Sequence, residues 1–304
     1  MRSVFPTRRI DMRQPYSRQR KNTGHDMRIL VTNDDGINAP GLGVLVEIAR
    51  ALTDDVWVVA PETNQSGTSH SLTLHAPLRM REIDERSYAV AGTPTDCVIM
   101  AVRHLLADQR PALILSGVND SANVAEDVTY SGTVAGAMEG TLLGIPSIAL
   151  SLMTVGVRTG GDVHWDTPRK HGPELIRRLL AAGWPLGTLL NVNFPAVPPA
   201  AVQGVAITRQ GIRDQDNLEI DKRADPWGKP YYWFGFRYRP STLVEGTDLA
   251  ALAAGQISVT PLSLDLTNET VATALARALS DSAHASQRRA TGPESPPRPQ
   301  VIIK

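Results

Sequence analysis

The sequence is poor in cysteine and aromatic residues, carries no net charge and lacks a long apolar run. Among its 304 residues there is a single cysteine, Cys97, which excludes an internal disulfide and a cysteine-based zinc site. Lysine plus arginine equals aspartate plus glutamate at 31 each, so no overall field attracts a nucleic acid duplex or an anionic membrane surface. No apolar stretch is long enough to span a bilayer. One lone thiol suits a reducing compartment, and we expect a cytoplasmic protein.

Composition also predicts disorder at both ends of the chain. Residues 1–26 are basic and polar, without the apolar segment of a secretory signal, and we expect a disordered N-terminal extension. Met27 stands directly before the first predicted strand and is an alternative start to Met1. Residues 282–304 contain Pro296, Pro297 and Pro299 and are predicted to be a disordered tail. The folded domain is expected over residues 27–281.

Between residues 28 and 150, short apolar runs alternate with segments of helical periodicity. The runs rich in valine, isoleucine and leucine predict buried strands at 28–33, 56–60, 112–116 and 147–150. The intervening segments predict helices at 41–52, 95–106 and 133–143. This alternation is typical of an α/β fold with a doubly wound, mostly parallel sheet between two layers of helices.

The second half of the chain is less regular. We predict helices at 171–182 and 268–279 and strands at 187–193, 204–208 and 257–262. Residues 213–239 turn from polar to strongly aromatic, and the turn-forming segment 225–230 predicts a β-hairpin arm. Its aromatic side chains either form a partner surface or pack on their own core.

Two adjacent acids, Asp34 and Asp35, follow the first predicted strand. The carboxyl ends of strands in such a sheet are where ligands bind, and two neighbouring carboxylates repel each other unless a cation offsets them. Carboxylate oxygens suit Mg²⁺ or Mn²⁺, so the pair predicts a metal site. The alternative is that both acids merely begin the next helix, where the helix dipole favours negative charge.

Other strand-end loops should meet this pair. The loop at 61–70 is rich in hydroxyls and glycine, and the loop at 116–123 contains Asn119. Ser131 is predicted to cap the next helix, with the amides of Gly132, Thr133 and Val134 pointing outward. Such amides bind phosphate, although a simple helix cap is the alternative. Neither a P-loop nor a Gly-x-Gly-x-x-Gly motif is present, which argues against dinucleotide binding.

Three further side chains have competing interpretations. His70 either protonates a leaving alkoxide or, as we favour, holds its loop by hydrogen bonds. Cys97 lies on an apolar helix face and is expected in the core. Asp96 at the start of that helix is explained by the helix dipole.

With these loops in view, the chain resembles the SurE family, the survival-protein nucleotidases, from Met27 to about Thr267. The resemblance rests on several blocks in a fixed order: Thr32–Gly36, Gln65–Gly67, Gly92–Cys97, Ser116–Asn119, Tyr130–Val134, Asn191–Pro195 and Ser258–Leu262. It implies a Rossmann-like core with a hairpin arm and a C-terminal segment that are used for homodimers or homotetramers.

The resemblance also implies a function and a site. Family members remove phosphate from nucleoside 5′-monophosphates, with some activity on 3′-nucleotides and short polyphosphate. Asp34, Asp35, Ser66 and Asn119 would hold one divalent ion per subunit, Mg²⁺ or Mn²⁺. We expect Asp34, Asp35 and Asn119 to be catalytic, and Asn119, Ser131, Gly132 and Thr133 to bind the substrate phosphate. The chain has Ser121 and Ala125 where the family usually has glycine, which affects the shape of the substrate loop.

These residues suit hydrolysis of a phosphomonoester by an attacking water, since phosphoryl transfer needs mainly positioning and charge stabilisation. A covalent aspartyl-phosphate enzyme would need a second acid at position 36, which is Gly36. A receiver-type signalling domain would need an acceptor carboxylate within 116–119, which is absent. A non-catalytic nucleotide-binding module with an altered substrate loop is the remaining alternative.

Overall fold

A nine-stranded, mostly parallel sheet forms the centre of the protein. The computed structural model describes residues 27–154, 163–213, 218–236 and 242–290. The predicted extension at 1–26 lies outside the described residues. The strands are β1 (Ile29–Thr32), β2 (Val56–Pro61), β3 (Met80–Asp84), β4 (Ser87–Val90), β5 (Leu113–Asn119), β6 (Ser147–Leu152), β7 (Thr188–Phe194), β8 (Val205–Ile207), β9 (Leu218–Ala224), β10 (Pro230–Phe236) and β11 (Ile257–Ser263).

The helices are α1 (Pro40–Arg50), α2 (Pro94–Met100), α3 (Asp127–Tyr130), α4 (Gly132–Leu142), α5 (Asp166–Ala182), α6 (Asp248–Ala253) and α7 (Glu269–Ala290). After α2, one π-helical turn covers Ala101–Leu105, and a short 3₁₀ turn covers Pro199–Ala201. The helix predicted at 171–182 in fact begins at Asp166. The β3–β4 pair and the short helices α3 and α6 were not predicted.

The strand order is β3-β4-β2-β1-β5-β6-β7-β11-β8, with β1 in a central position between β2 and β5. The β3–β4 and β7–β11 pairs are antiparallel, whereas the other neighbours in this sheet run parallel. Alternate β1 side chains point to opposite faces: Ile29 and Val31 pack in the cluster of α1 and α5, and Leu30 packs in the cluster of α2. The predicted α/β class with helices on both faces is therefore confirmed.

Glycines in α4 let this helix lie close to the sheet. A Cβ atom at Gly136 would come within 2.8 Å of Ser116 Oγ, so position 136 has no room for a side chain. Ser131 caps the helix, because its hydroxyl accepts the Val134 amide at 3.0 Å. The amino end of α4 lies beside the end of β1, because a Cβ atom at Gly132 would come within 2.7 Å of the Asp34 Cβ.

The predicted hairpin arm consists of β9 and β10, which form their own two-stranded antiparallel sheet with the turn where we predicted it. Five of its aromatic side chains are exposed rather than packed on a core: Trp227 is 83% exposed, Phe234 74%, Trp233 59%, Tyr232 57% and Tyr231 40%. For these five, the structure contradicts the alternative in which they pack on their own core; the side chains of Phe236 and Tyr238 lie outside the described residues.

The chain divides into two compact units, up to Leu264 and from Asp265 onward. The second unit contains α7, which continues to Ala290 rather than ending at residue 279. Residues 282–290, which we expected to be disordered, are thus helical, and the rest of the predicted tail, 291–304, lies outside the described residues. A nucleotidase domain with bounds at 27–281 stays a prediction.

Candidate active site

A cavity of about 190 Å³ opens where the loops after β1, β2 and β5 meet. Four of the predicted site residues line it: Asp34, Ser66, Asn119 and Ser131. Asp120, Asp127 and Tyr130, which were not predicted, line it as well. The other three predicted site residues, Asp35, Gly132 and Thr133, are not among the lining residues, although each lies within two residues of Asp34 or Ser131 in the sequence.

Asp34 is held from two sides. It is 4% exposed, and its Oδ1 accepts a 2.5 Å hydrogen bond from the Thr133 hydroxyl on α4. Its backbone carbonyl accepts the Gln65 amide at 2.7 Å, which joins the β1 loop to the β2 loop. A Cβ atom at Gly132 would approach the Asp34 Cβ to 2.7 Å, so glycine is needed for α4 to begin against this carboxylate.

Burial disfavours the ionised form of both adjacent carboxyl groups. Burial raises the pKa of Asp34 despite the hydrogen bond from Thr133. The pKa of Asp35 rises to about 7, first through burial and then through the negative charges of Asp34 and Asp120. Among the ion pairs formed by the described residues, none includes Asp34 or Asp35. Such uncompensated charge fits a divalent cation.

Two neutral side chains, those of Asn119 and Ser66, add further oxygen atoms to the candidate metal ligands. Asn119 ends β5 and donates through Nδ2 to the Ser121 carbonyl at 2.7 Å, which keeps its carboxamide oxygen available as a ligand. Ser66 is exposed, and its amide donates to Asn64 Oδ1 at 2.8 Å within the β2 loop. No group of three or more His, Cys, Asp or Glu residues with metal-binding geometry occurs in the described parts of the chain. A site here therefore depends on hydroxyl and carboxamide oxygens beside the two carboxylates.

The start of α4 differs from the prediction in one respect. The Val134 amide does not point outward, because it donates to the capping Ser131 hydroxyl. The Thr133 hydroxyl is directed to Asp34, so this side chain supports a predicted metal ligand. Phosphate binding by Asn119, Ser131, Gly132 and Thr133 stays a prediction.

Three asparagines hold the loop that follows Asn119. The Asn123 carbonyl accepts Asn191 Nδ2 at 2.8 Å and Asn193 Nδ2 at 3.2 Å. The Asn123 amide donates to Asn193 Oδ1 at 2.8 Å, and its side chain donates to Ser151 Oγ. The buried asparagines of β7 thus anchor the cavity wall from beneath. Only their place in a block of the family pattern had marked them in the sequence.

The same loop has a left-handed residue at one of the two positions where the family usually has glycine. Ala125 has φ of +52°, whereas Ser121 lies outside the left-handed region. Long-range contacts impose this conformation, since the Ala125 amide donates to Asp248 Oδ2 at 3.0 Å and its carbonyl accepts Gln210 Nε2 at 2.8 Å. Asp248 is fully buried and was not identified from the sequence.

Two of the side chains with competing interpretations anchor the β2 loop. His70 Nε2 lies 3.1 Å from Glu139 Oε2 on α4, in agreement with the loop-holding interpretation. Asp96 has a role beyond its favourable interaction with the dipole of α2. Its carboxylate accepts hydrogen bonds from the Thr73 hydroxyl at 2.6 Å and from the Thr93 amide at 2.9 Å. Cys97 is buried in the core as expected.

These features define an α/β protein with an acidic, oxygen-rich site at the strand ends. The family model described as "Survival protein SurE" matches residues 29–217. The chain is 59% identical over 256 residues to the 5′-nucleotidase SurE of Rhodopseudomonas palustris strain BisB5, covering 83% of this chain and 100% of that protein. The same identity and coverage hold for the 5′-nucleotidase SurE of Methylobacterium sp. strain 4-46.

A solved structure is similar as well. The SurE protein of Aquifex aeolicus matches with a TM-score of 0.71 and 43% identity, covering 81% of this chain and 97% of that one. The chain belongs to the SurE family, and the resemblance noted in its motifs is confirmed. None of the described helices combines the length and apolar character needed to cross a bilayer.

The contact between Thr133 and Asp34 leads to a first prediction. Thr133→Val removes the hydroxyl donor while keeping the shape of the side chain, so Asp34 loses the bond that orients it. We expect hydrolysis and Mn²⁺ affinity to fall by about 10- to 100-fold, as for other supporting contacts to metal ligands. Steady-state kinetics and calorimetry with Mn²⁺ measure both effects. Thr133→Ser, which keeps the hydroxyl, should stay within a few-fold of wild type, and an equal loss in both variants would contradict this role.

Proposed function

We propose that the protein is a metal-dependent 5′-nucleotidase that hydrolyses nucleoside 5′-monophosphates to nucleoside and phosphate. The observation that carries the proposal is the pair of adjacent carboxylates at the end of β1, of which Asp34 is buried and Asp35 partly buried. Neither has an ion-pair partner among the described residues. The names of the similar proteins from Rhodopseudomonas and Methylobacterium support it. No feature of the described residues favours the alternative of a non-catalytic binding module.

One Mg²⁺ or Mn²⁺ ion per subunit fits the donor set. Asp34, Asp35, Ser66 and Asn119 would hold it through oxygen atoms, which both ions prefer. When bound, such an ion neutralises phosphate charge and lowers the pKa of a bound water. This proposal includes the identity of the ion, Mg²⁺ or Mn²⁺, and the number of ions, one per subunit.

The protein's own groups position the phosphate and the attacking water. Asp34 Oδ1 already accepts a hydrogen bond from the Thr133 hydroxyl, whereas the Asp35 carboxylate accepts, from side chains in the described ranges, a single long one of 3.4 Å from Asn64 Nδ2. We therefore assign orientation of the water to Asp35. Asn119 and the Ser131–Thr133 segment, at the amino end of α4, would hold the remaining phosphate oxygens.

Two mechanistic alternatives are disfavoured by contacts in the site. A covalent aspartyl-phosphate enzyme needs an acid at position 36, but Gly36 has φ of +104° and a Cβ atom there would lie 3.3 Å from the Thr63 carbonyl carbon. His70 is paired with Glu139, so it is not proposed as the acid for the leaving group. A water-mediated reaction without a phosphorylated enzyme is the simplest assignment.

The wider proposal includes assembly, location and secondary substrates. The exposed aromatic arm supports a homodimer or homotetramer, because residues such as Trp227 and Phe234 are costly to leave in water. The single, buried cysteine is in keeping with the cytoplasm. Activity on 3′-nucleotides and short polyphosphate belongs to the same proposal.

A substrate panel tests the proposed function. Phosphate release is measured from nucleoside 5′- and 3′-monophosphates and from polyphosphate, with Mn²⁺ or Mg²⁺ and with a chelator. We expect 5′-monophosphates to be hydrolysed fastest and the chelator to remove the activity, with recovery when Mn²⁺ is restored. A wild-type protein that releases no phosphate from any nucleotide with either ion would overturn the proposal.

A further inference from the structure

The cavity is strongly acidic for a site that receives a phosphate. Asp34, Asp120 and Asp127 line it, and Asp35 lies beside Asp34. Its described lining contains no lysine, arginine or histidine. A divalent cation offsets two of these negative charges, whereas a phosphomonoester brings two more. If the protein binds phosphate as proposed, a further positive charge is needed nearby.

Arg213 forms an ion pair with one of the acids that line the cavity. Its Nη2 lies 2.6 Å from Asp127 Oδ2 and its Nη1 lies 3.1 Å from Asp127 Oδ1, so the two groups form a bidentate pair. The Arg213 side chain is 8% exposed and that of Asp127 16%, so solvent screens the pair weakly. Nη1 also lies 3.2 Å from Glu126 Oε2, next to Asp127 in the chain.

Arg213 fixes the backbone of the same wall. Its amide donates to Glu126 Oε1 at 2.8 Å, and Nη1 donates to the Val124 carbonyl at 3.3 Å. These contacts hold the Asp127 carboxylate against the guanidinium, so that it is not free to face the substrate phosphate. Among the acids lining the cavity, Asp127 is the one with an arginine partner in the described structure.

We propose that Arg213 is a positioning residue that makes the acidic cavity accept a phosphate dianion, by neutralising Asp127 and holding it in the cavity wall. This inference rests on the proposed function, because the ligand is the phosphate of that reaction. Without the guanidinium, an unpaired carboxylate faces the incoming anion. Removing that carboxylate as well should restore binding.

Variants of both partners distinguish an electrostatic role of Arg213 from a purely structural one. If the ion pair only stabilises the structure of the loop, removing either partner breaks it, so Asp127→Asn would be as harmful as Arg213→Met. A charge role predicts the opposite, namely that Asp127→Asn is harmless alone and repairs Arg213→Met. The comparison therefore needs both single variants and the double variant.

The experiment measures the Kd of inorganic phosphate by calorimetry on Mn²⁺-supplemented protein, and KM and kcat for a nucleoside 5′-monophosphate. For Arg213→Met we expect Kd and KM to rise about tenfold, with kcat within threefold and the rise smaller at high salt. Asp127→Asn should stay within twofold of wild type, and the double variant within threefold. Arg209→Met is the matched control, because that nearby side chain bonds the Glu245 carbonyl and not the cavity wall.

The affinity for Mn²⁺ alone provides an independent readout. Arg213→Met should not weaken Mn²⁺ binding by more than twofold, since it removes a positive charge near the site, whereas a distorted site would weaken the binding of both Mn²⁺ and phosphate. A tenfold loss in Asp127→Asn, or a double variant as impaired as Arg213→Met, would overturn the proposal. A tenfold loss in Asp127→Asn overturns the proposal even if Arg213→Met fails to fold. Phosphate binding needs no turnover, so failure of the nucleotidase assignment would leave this outcome readable.

Discussion

Asp35→Asn should lower nucleotide hydrolysis by about 100-fold or more while stabilising the metal-free protein. The activity loss follows from removing a proposed ligand, which costs at least as much as losing a supporting contact. The stabilisation follows from the pKa of Asp35, which is about 7 in the folded protein against an ordinary value of 3.8. The folded state therefore holds the proton more tightly, and stability from this group falls as pH rises from about 4 to 7.

The neutral asparagine removes this penalty above pH 7. Because Asp35 is only partly buried, screening reduces the gain to about 1–2 kcal/mol, or a few degrees in Tm. Thermal unfolding with a chelator at pH 8 and pH 4 measures it, with stabilisation expected at pH 8 and little change at pH 4. Asp54→Asn is the control, since that residue is exposed and away from the cavity. A metal-free Asp35→Asn protein that is less stable than wild type at pH 8 would contradict the charge argument.

Asp248→Ala should lower the free energy of unfolding by about 3–5 kcal/mol, because it leaves buried amides without an acceptor. Asp248 Oδ1 accepts the amides of Gly211 and Leu249, both at 2.8 Å, and Oδ2 accepts the Ala125 amide at 3.0 Å. The carboxylate thus joins the start of α6, the segment before the arm and the left-handed residue of the cavity wall.

Urea unfolding measures this loss of stability, and the conservative variant Asp248→Asn separates the contributions of the two carboxylate oxygens. Asp248→Asn keeps one oxygen for Gly211 and Leu249 but presents an amino group to the Ala125 amide, so about 1–3 kcal/mol should be lost. Asp108→Ala, at an exposed position, should change stability by less than about 0.5 kcal/mol. An Asp248→Ala protein as stable as the Asp108→Ala control would show that the three hydrogen bonds contribute little.

The central sheet could be predicted because its strands are buried on both faces. Ile29, Leu30 and Val31 are all fully buried, so β1 appears in the sequence as a continuous apolar run. The β3–β4 pair gives no such signal, because exposed charged residues such as Arg81 and Glu82 occupy an edge strand. The start of α5 was missed since its first turn, from Asp166, is polar and contains Pro168.

The chemistry of the residues themselves predicted only part of the site. Asp34 and Asp35 suggested a metal site because they are adjacent carboxylates at the end of a strand, whereas Ser66 and Asn119 were predicted as ligands only through the resemblance to the SurE family. Asp248 and Arg213 were not found from the sequence, and Thr133 was predicted only as a phosphate contact and not as a partner of Asp34. The contacts that these three residues make in the structure are with partners 37 to 123 residues distant in sequence. At position 125, the glycine that is usual in the family did indicate a left-handed torsion, and Ala125 has φ of +52° in the structure.

The single thiol has a practical consequence for experiments on assembly. Burial and the neighbouring Asp96 raise the pKa of Cys97 well above its ordinary value, and thiol reagents react with the thiolate. We therefore expect the native protein to react very little with maleimide probes. A cysteine introduced at Trp227, on the exposed hairpin turn, would be labelled selectively, and its fluorescence would report directly when that turn meets another subunit.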